Sequence, residues 1–182
     1  IHLLTLDELR QNPAHEPERL GQAFVGEHIT PLSALVGLLS EHPNVTAFIE
    51  LKRTGLETVG IKNAYRIVTE ILDPVIGQCV LISFSDEFIQ YAHEQQFSRL
   101  GVVLKDWQDR QGPWITDIQP EFIFCDTDKV PEGATLDELQ STVVVYEVED
   151  PDQAIDWFNR GADMVETFDI GSMITNLAHR AL

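Results

Sequence analysis

One rhythm constrains this chain more than any other feature. Short apolar runs recur at residues 45–51, 78–84, 98–104, 120–125, 142–148 and 162–167, the fifth made largely of β-branched residues, and most are separated by stretches whose apolar residues have helical spacing. Such runs fit the packed, pleated surface of a sheet. Helices are predicted over 31–39, with Thr30 as N-cap and Pro31 at the first position, and over 58–72, where Val59, Ala64, Ile67, Val68 and Ile71 share a helical period. Asp73-Pro74 should stop the second of these. Further helices are expected from Ser85 or Asp86 through Gln95, over 150–160 with Ile155 and Phe158 inward and Gly161 at the end, and over 172–182. Residues 135–139 are read as a short helical turn, while 12–26 and the Trp-, Asp- and Gly-rich stretch after Leu104 are read as loops. Strands that alternate with helices predict parallel βαβ units, because a parallel pair needs a crossover, and runs apolar on both faces predict burial on both sides. The expectation is an α/β chain forming a single domain over 1–182.

Composition excludes some partners. A chain of 182 residues can bury a real core, and its formal net charge of −18 argues against a nucleic-acid backbone or an anionic membrane surface, both of which need basic groups to displace counterions. Cys79 and Cys125 sit far apart in apolar runs, so they are expected as buried thiols and not as a disulfide or a zinc site. No apolar stretch approaches the length of a membrane span, and a soluble protein is expected. The chain opens at Ile1 without a methionine and runs at once into Leu3-Leu4-Thr5-Leu6-Asp7-Glu8-Leu9, which reads as the interior of a longer protein.

The chemistry-bearing candidate is Glu50-Leu51-Lys52, at the end of the first predicted strand. Residues i and i+2 of a strand share a face, so the carboxylate and the ammonium should point the same way. A hard cation prefers oxygen ligands and a lysine acts as a point charge on phosphate, so the pair suits a metal-assisted phosphate site; a plain structural ion pair fits it as well. Other polar residues gather where strands end: Ser83, Ser85, Lys105, Asp106, Asp126, Tyr146, Glu147, Glu166 and Asp169. That is the end at which parallel α/β folds build their sites. Lys52 has a rival role as a Schiff-base nucleophile of an aldolase, although a carboxylate so near works against the required loss of charge. Ser85 is best read as a helix cap, and no G-x-S-x-G surrounds either serine. Tyr146 fits a pocket wall and an ordinary half-buried aromatic equally. His2, His15, His28, His42, His93 and His179 show no metal-ligand spacing, and none stands at a predicted strand end, where phosphodiester hydrolysis would need its general acid and base.

Taken in order, Leu4-Thr5-Leu6-Asp7-Glu8-Leu9, Ile29-Thr30-Pro31-Leu32, Phe48-Ile49-Glu50-Leu51-Lys52, Ile82-Ser83-Phe84-Ser85, Val144-Val145-Tyr146-Glu147-Val148 and Gly161-Ala162-Asp163-Met164-Val165-Glu166-Thr167 resemble the glycerophosphodiester phosphodiesterase family. The resemblance implies a TIM-type (β/α) barrel that hydrolyses glycerophosphodiesters to an alcohol and glycerol 3-phosphate with a divalent cation, Mg²⁺ or Ca²⁺. It implies that Glu50 is a metal ligand, that Lys52 contacts the substrate phosphate, and that Tyr146 takes the place of a tryptophan in the substrate wall. Glu147 and Glu149 stand where the family has an asparagine, and Glu166-Thr167-Phe168-Asp169 where it has Thr-Asp-Arg. The family's opening His-Arg, Glu-x-Asp and His-Asp motifs are not found in these residues, so no catalytic residue is assigned within them. Members of the family occur in cytoplasm and periplasm, the cytoplasm being slightly favoured here.

Strand counting agrees with this reading. About six of the eight βα units of a closed barrel are legible, which leaves two sheet edges with unpaired backbone. The expectation is a C-terminal portion of such an enzyme, inactive by itself, with its catalytic histidines in a preceding segment. The alternative is a non-catalytic binding or assembly module that uses the open edges to pair with another chain.

Overall fold

A computed structural model describes residues 3–180; His2 and the last two positions of the predicted 172–182 helix lie outside the described residues. Among these residues the chain forms α1 (Leu6–Arg10), α2 (Pro17–Leu20), α3 (Leu32–Glu41), β1 (Ala47–Glu50), α4 (Arg53–Val59), α5 (Ile61–Leu72), β2 (Cys79–Ser83), α6 (Asp86–Glu94), β3 (Leu100–Val103), α7 (Pro113–Ile118), β4 (Phe122–Asp126), β5 (Thr142–Tyr146), α8 (Pro151–Asn159), β6 (Met164–Val165) and α9 (Ile170–Arg180). Two 3₁₀ segments, Asp73–Gln78 and Trp107–Gln111, complete them.

The chain divides into two compact units. The first comprises Ile1–Ala47 and Thr54–Cys79. Here Thr5 opens α1 with a capping box: its Oγ1 accepts from the Glu8 amide at 3.3 Å and the Glu8 carboxylate accepts from the Thr5 amide at 2.7 Å. Thr30 does not cap α3 as expected. Its hydroxyl turns back to donate to His28 O at 3.3 Å, and Pro31 occupies the cap position with no side-chain bond. The single helix predicted over 58–72 is two, because Gly60 adopts φ +83°, a conformation helices exclude. Val59, at the end of α4, and Ile67, within α5, are exposed. Helix α3 packs on α5 and on the 3₁₀ turn, and Gln78 Nε2 closes the arrangement by donating to Leu39 O, His42 O and Val45 O at 2.9–3.2 Å. Leu39 O and His42 O also accept from the His42 and Val45 amides, both at 3.0 Å, so Gln78 adds a second donor at the end of α3 and the turn after it.

The second unit comprises Phe48–Arg53 and Val80–Leu182. Six parallel strands run in the order β1-β2-β3-β4-β5-β6. Each strand pairs with the next in sequence, with a crossover between them, which is the winding of a (β/α) barrel; six strands make an incomplete TIM-type sheet. Strands β2 and β3 are buried throughout, as runs apolar on both faces require. One face carries Val80, Ile82, Val103, Phe122, Phe124 and Val144, with Phe48, Phe84 and Tyr146 packed on them. Phe48 meets Phe122 and Phe124 edge-to-face, at 4.9 and 5.2 Å between ring centroids. This inward face can close because Gly101 carries no side chain: a Cβ there would stand 2.8 Å from Ile82 Cγ2. The opposite face lies under the helices, where α6 buries Phe88, Ile89 and Ala92, and burying a side chain the size of Phe88 contributes about 1.5–3 kcal/mol.

Three predictions for this unit change. The stretch after Leu104 is not loop alone: it holds the 3₁₀ segment and α7, whose Pro113 takes an early helical position and whose Ile115 and Ile118 are buried. The helical turn expected over 135–139 is a single hydrogen-bonded turn, Leu139 N donating to Leu136 O at 3.1 Å, that does not extend into a helix, and the chain crosses from β4 to β5 in turns and bends. Side chains and backbone from the end of α8 pin that crossover instead. Arg160 donates to Ala134 O and Pro131 O at 3.1 and 3.0 Å, its guanidinium lies 3.9 Å from the Trp157 ring centroid, and the Leu136 amide donates to Arg160 O at 2.7 Å. Helix α8 buries Ala154 and Trp157, while Phe158, expected inward, is exposed.

Candidate functional site at the strand ends

Sheet register builds the site. Asp126 pairs with Tyr146 across β4 and β5, and Val145 pairs with Val165 across β5 and β6, so the next position sets Glu166 beside Tyr146. Registered residues of parallel strands point to one side. Asp126, Tyr146 and Glu166 therefore form a row along the C-terminal ends of three adjacent strands, and Tyr146 packs on the inward apolar cluster. Glu50 follows Phe48 by two residues on β1, so it shares that inward face.

The predicted pair is brought together. Lys52 Nζ lies 2.7 Å from Glu50 Oε2, with the lysine side chain 70% exposed and the glutamate largely covered. Glu50 Oε1 is buried with no hydrogen-bond partner. A buried carboxylate oxygen left without a donor is costly, and a cation is the group that would satisfy it. The exposure of Lys52 supplies none of the desolvation a Schiff-base lysine needs.

Other polar groups at the strand ends are committed to structure. Ser83 Oγ donates to Leu51 O at 2.7 Å and accepts from the Ser85 amide at 3.0 Å, locking the ends of β1 and β2 together. Ser85 caps α6 by accepting from the Phe88 amide, as expected. Lys105 Nζ meets both oxygens of Asp86 at 3.0 and 2.9 Å, and Asp126 accepts from the Asp128 amide and lies 3.9 Å from Lys129 Nζ.

The row has an unusual electrostatic character. Burial, and then the neighbouring charges of Asp126, Cys125, Glu166 and Glu50, raise the Tyr146 phenol far above its ordinary range, so it stays protonated. Loss of surrounding water, then Glu147 and Glu50, raise the Glu166 carboxyl, while Lys52 opposes them. Sequence reasoning placed Asp126 and Glu166 at strand ends without assigning them a role; only the register shows that they flank Tyr146.

Cys79 and Cys125 are buried thiols outside any disulfide among the described residues, as expected, and Cys79 Sγ donates to Val75 O at 3.4 Å. His15, His28, His42, His93 and His179 lie in loops, at a helix end or on helices, and none lies at the C-terminal end of a strand. Among the described residues no group of three or more His, Cys, Asp or Glu side chains could hold a metal ion, so Glu50 Oε1 fits one position of a cation's shell and no more. A cleft of about 690 Å³, lined in part by Gln119, Pro120, Glu121, Ser141 and Thr142, opens at the other ends of β4 and β5. No helix among the described residues is long and apolar enough to cross a membrane.

Parallel winding of strands and crossovers, with titratable groups at the C-terminal strand ends, defines the class: an α/β scaffold of the (β/α)-barrel type. Solved structures sharpen this. The chain is similar to a phosphodiesterase of Oleispira antarctica solved with its product sn-glycerol-3-phosphate, at TM-score 0.72 and 18% identity over 96% of this chain and 70% of that one. It is similar to a glycerophosphodiester phosphodiesterase of Parabacteroides distasonis at TM-score 0.70 and 17% identity, over 98% and 72% of the two chains. A protein of Silicibacter pomeroyi assigned to the glycerophosphoryl diester phosphodiesterases gives TM-score 0.77 and 15% identity, over 98% and 69%. No protein-family model and no curated protein matches the sequence. At these identities the likeness establishes the fold, and it agrees with the fold implied by the sequence resemblance.

Proposed function

We propose that these residues form the phosphate-binding half of a metal-dependent phosphodiesterase site that cleaves glycerophosphodiesters to an alcohol and glycerol 3-phosphate. The observation that carries this reading is Glu50: one oxygen is held by Lys52 and the other is buried and unpartnered on the inward face. Glu50 would hold a divalent cation, Mg²⁺ or Ca²⁺, through Oε1. Such an ion, when bound, neutralises charge on the phosphoryl oxygens. Lys52, at the solvent side, meets the phosphate as a point charge and draws the diester to the rim of an acidic protein. Tyr146 lines the inward side of the site. The general acid and base are assigned outside residues 3–180, since no histidine among those residues lies at the C-terminal end of a strand.

Calorimetry with sn-glycerol 3-phosphate in Mg²⁺ or Ca²⁺ tests the binding half. The chain should bind it, and Lys52→Met should weaken binding at least tenfold. With glycerophosphocholine the chain alone should release no glycerol 3-phosphate; robust turnover would sink the assignment of the acid and base elsewhere. A second reading, an assembly module, rests on β1 and β6, each of which has a single strand neighbour among the described residues. Light scattering addresses it: a monodisperse monomer at high concentration counts against pairing of copies through these edges.

A further inference from the structure

Thirty acidic residues stand against twelve basic ones in this chain, a formal net charge of −18. The basic side chains are largely committed. Arg10, Lys52, Arg66, Arg99, Lys105 and Lys129 each pair with a carboxylate, while Arg110 and Arg160 lie over the Trp107 and Trp157 rings. The fold then places part of the excess where it costs most. A helix C-terminus carries partial negative charge and is stabilised by cations, yet α3 has no basic residue in its last turn and ends on Glu41. Helix α6 ends on Glu94 beside His93, and α8 has Asp156 in its last turn, four residues after Asp152. Arg160 caps α8, but its guanidinium is turned away to Ala134 O and Pro131 O. Glu41, Glu94 and Asp156 are exposed, and among the described residues none has an ion pair. Anions at these helix ends, and like charges four apart on one helix, work against the folded state. The unfolded chain escapes both terms, because it has no helix ends and spreads its charges over a larger volume.

We propose that this fold is sensitive to ionic strength: repulsion among its exposed carboxylates, those at the ends of α3, α6 and α8 included, loosens it in dilute buffer, and concentrated monovalent cations hold it folded. Dissolved ions act by screening, since the Debye length falls from about 30 Å at 10 mM to about 3 Å at 1 M. The effect requires no particular cation and no binding site, which separates it from a divalent ion held by Glu50. It is independent of the phosphodiesterase reading and concerns the medium in which the chain folds.

The test crosses salt with charge. Urea titrations at neutral pH, free of divalent ions, would be run in about 10 mM and about 500 mM NaCl, a range over which screening changes from weak to nearly complete. They would compare wild type with a variant combining Glu41→Gln, Glu94→Gln and Asp156→Asn, which keeps side-chain shape and removes three exposed charges. The wild-type unfolding constant should fall at least about tenfold between low and high salt, and KCl should act as NaCl does. In low salt the variant should be on the order of tenfold harder to unfold than wild type, the sum of three helix-end terms, and in high salt that advantage should shrink below about threefold. A wild-type constant that does not fall with salt overturns the inference. So does a variant advantage of the same size at both salt concentrations, which would assign it to helix propensity, and so does a response to only one of the two cations, which would mark a specific site.

Discussion

Lys52 Nζ sits 2.7 Å from Glu50 Oε2, while the second oxygen of the same carboxylate, Oε1, is buried without a hydrogen-bond partner. Two oxygens of one group thus have opposite fates. An ion pair whose cation is 70% exposed contributes about 0–1 kcal/mol, so the pair is not retained for stability.

The first prediction concerns that carboxylate. Without added cation, Glu50→Gln should change unfolding free energy by less than about 1 kcal/mol. With Mg²⁺ or Ca²⁺ at about 100 times its Kd, wild type should gain about 2.7 kcal/mol, and the variant should gain nothing. Urea titrations with and without the cation decide between these outcomes; a wild-type chain indifferent to both ions would remove the metal from the reading.

Glu166 should make stability fall as pH rises. Its folded pKa is raised, first by loss of surrounding water and then by Glu147 and Glu50, so in the window above the ordinary carboxylate range the folded chain holds a proton that the unfolded chain has released. Folding is then favoured below the unfolded pKa, and that advantage is lost as pH climbs through the folded one. Glu166→Gln should be more stable than wild type at neutral pH, with the difference vanishing in acid. Urea midpoints for both proteins from pH 4 to 8 measure this, and parallel curves would contradict it.

Gly161 and Gly133 separate two costs of adding a methyl group. Gly161 has φ +95°, and a Cβ there would collide with the Asp137 side chain and backbone in the β4–β5 crossover. Gly133 has φ +76° with nothing within 4 Å of that position. Gly133→Ala should cost about 1–2 kcal/mol of left-handed strain alone. Gly161→Ala adds overpacking of about 1–3 kcal/mol, and thermal melts of the two variants should differ by several degrees.

The thiols should be silent in the folded chain. Burial pushes the Cys125 thiol up to about 12, with the Arg110 guanidinium opposing it, and both cysteines are covered. Iodoacetamide at pH 8 should label neither cysteine in native protein and both in denaturant, counted by intact mass. Rapid native labelling of Cys125 would show that its cover opens.

Strand identity was legible because β-branched runs announce themselves: β2 and β5 fall within their predicted spans, and Glu50 and Lys52 emerged on one face from the period-two rule alone. The misses have local causes. Residues 107–118 fold into helical segments because burial of Trp107, Ile115 and Ile118 outweighs a composition that suggests a loop. The crossover over 127–141 holds isolated turns, such as Val130 N donating to Asp126 O at 3.2 Å and Leu139 N to Leu136 O at 3.1 Å, and no helix, while Arg160 donates to two of its carbonyls from another element.

By itself, then, the sequence determined the α/β rhythm, the inward pair Glu50 and Lys52, and the burial of both thiols, since each follows from periodicity or composition over a few neighbouring residues. Tertiary structure decided that Asp126, Tyr146 and Glu166 stand in one row and that one oxygen of Glu50 is left unpartnered. Register between strands some twenty residues apart, and the burial of a single atom, depend on how distant segments pack, and no local pattern in the chain encodes either.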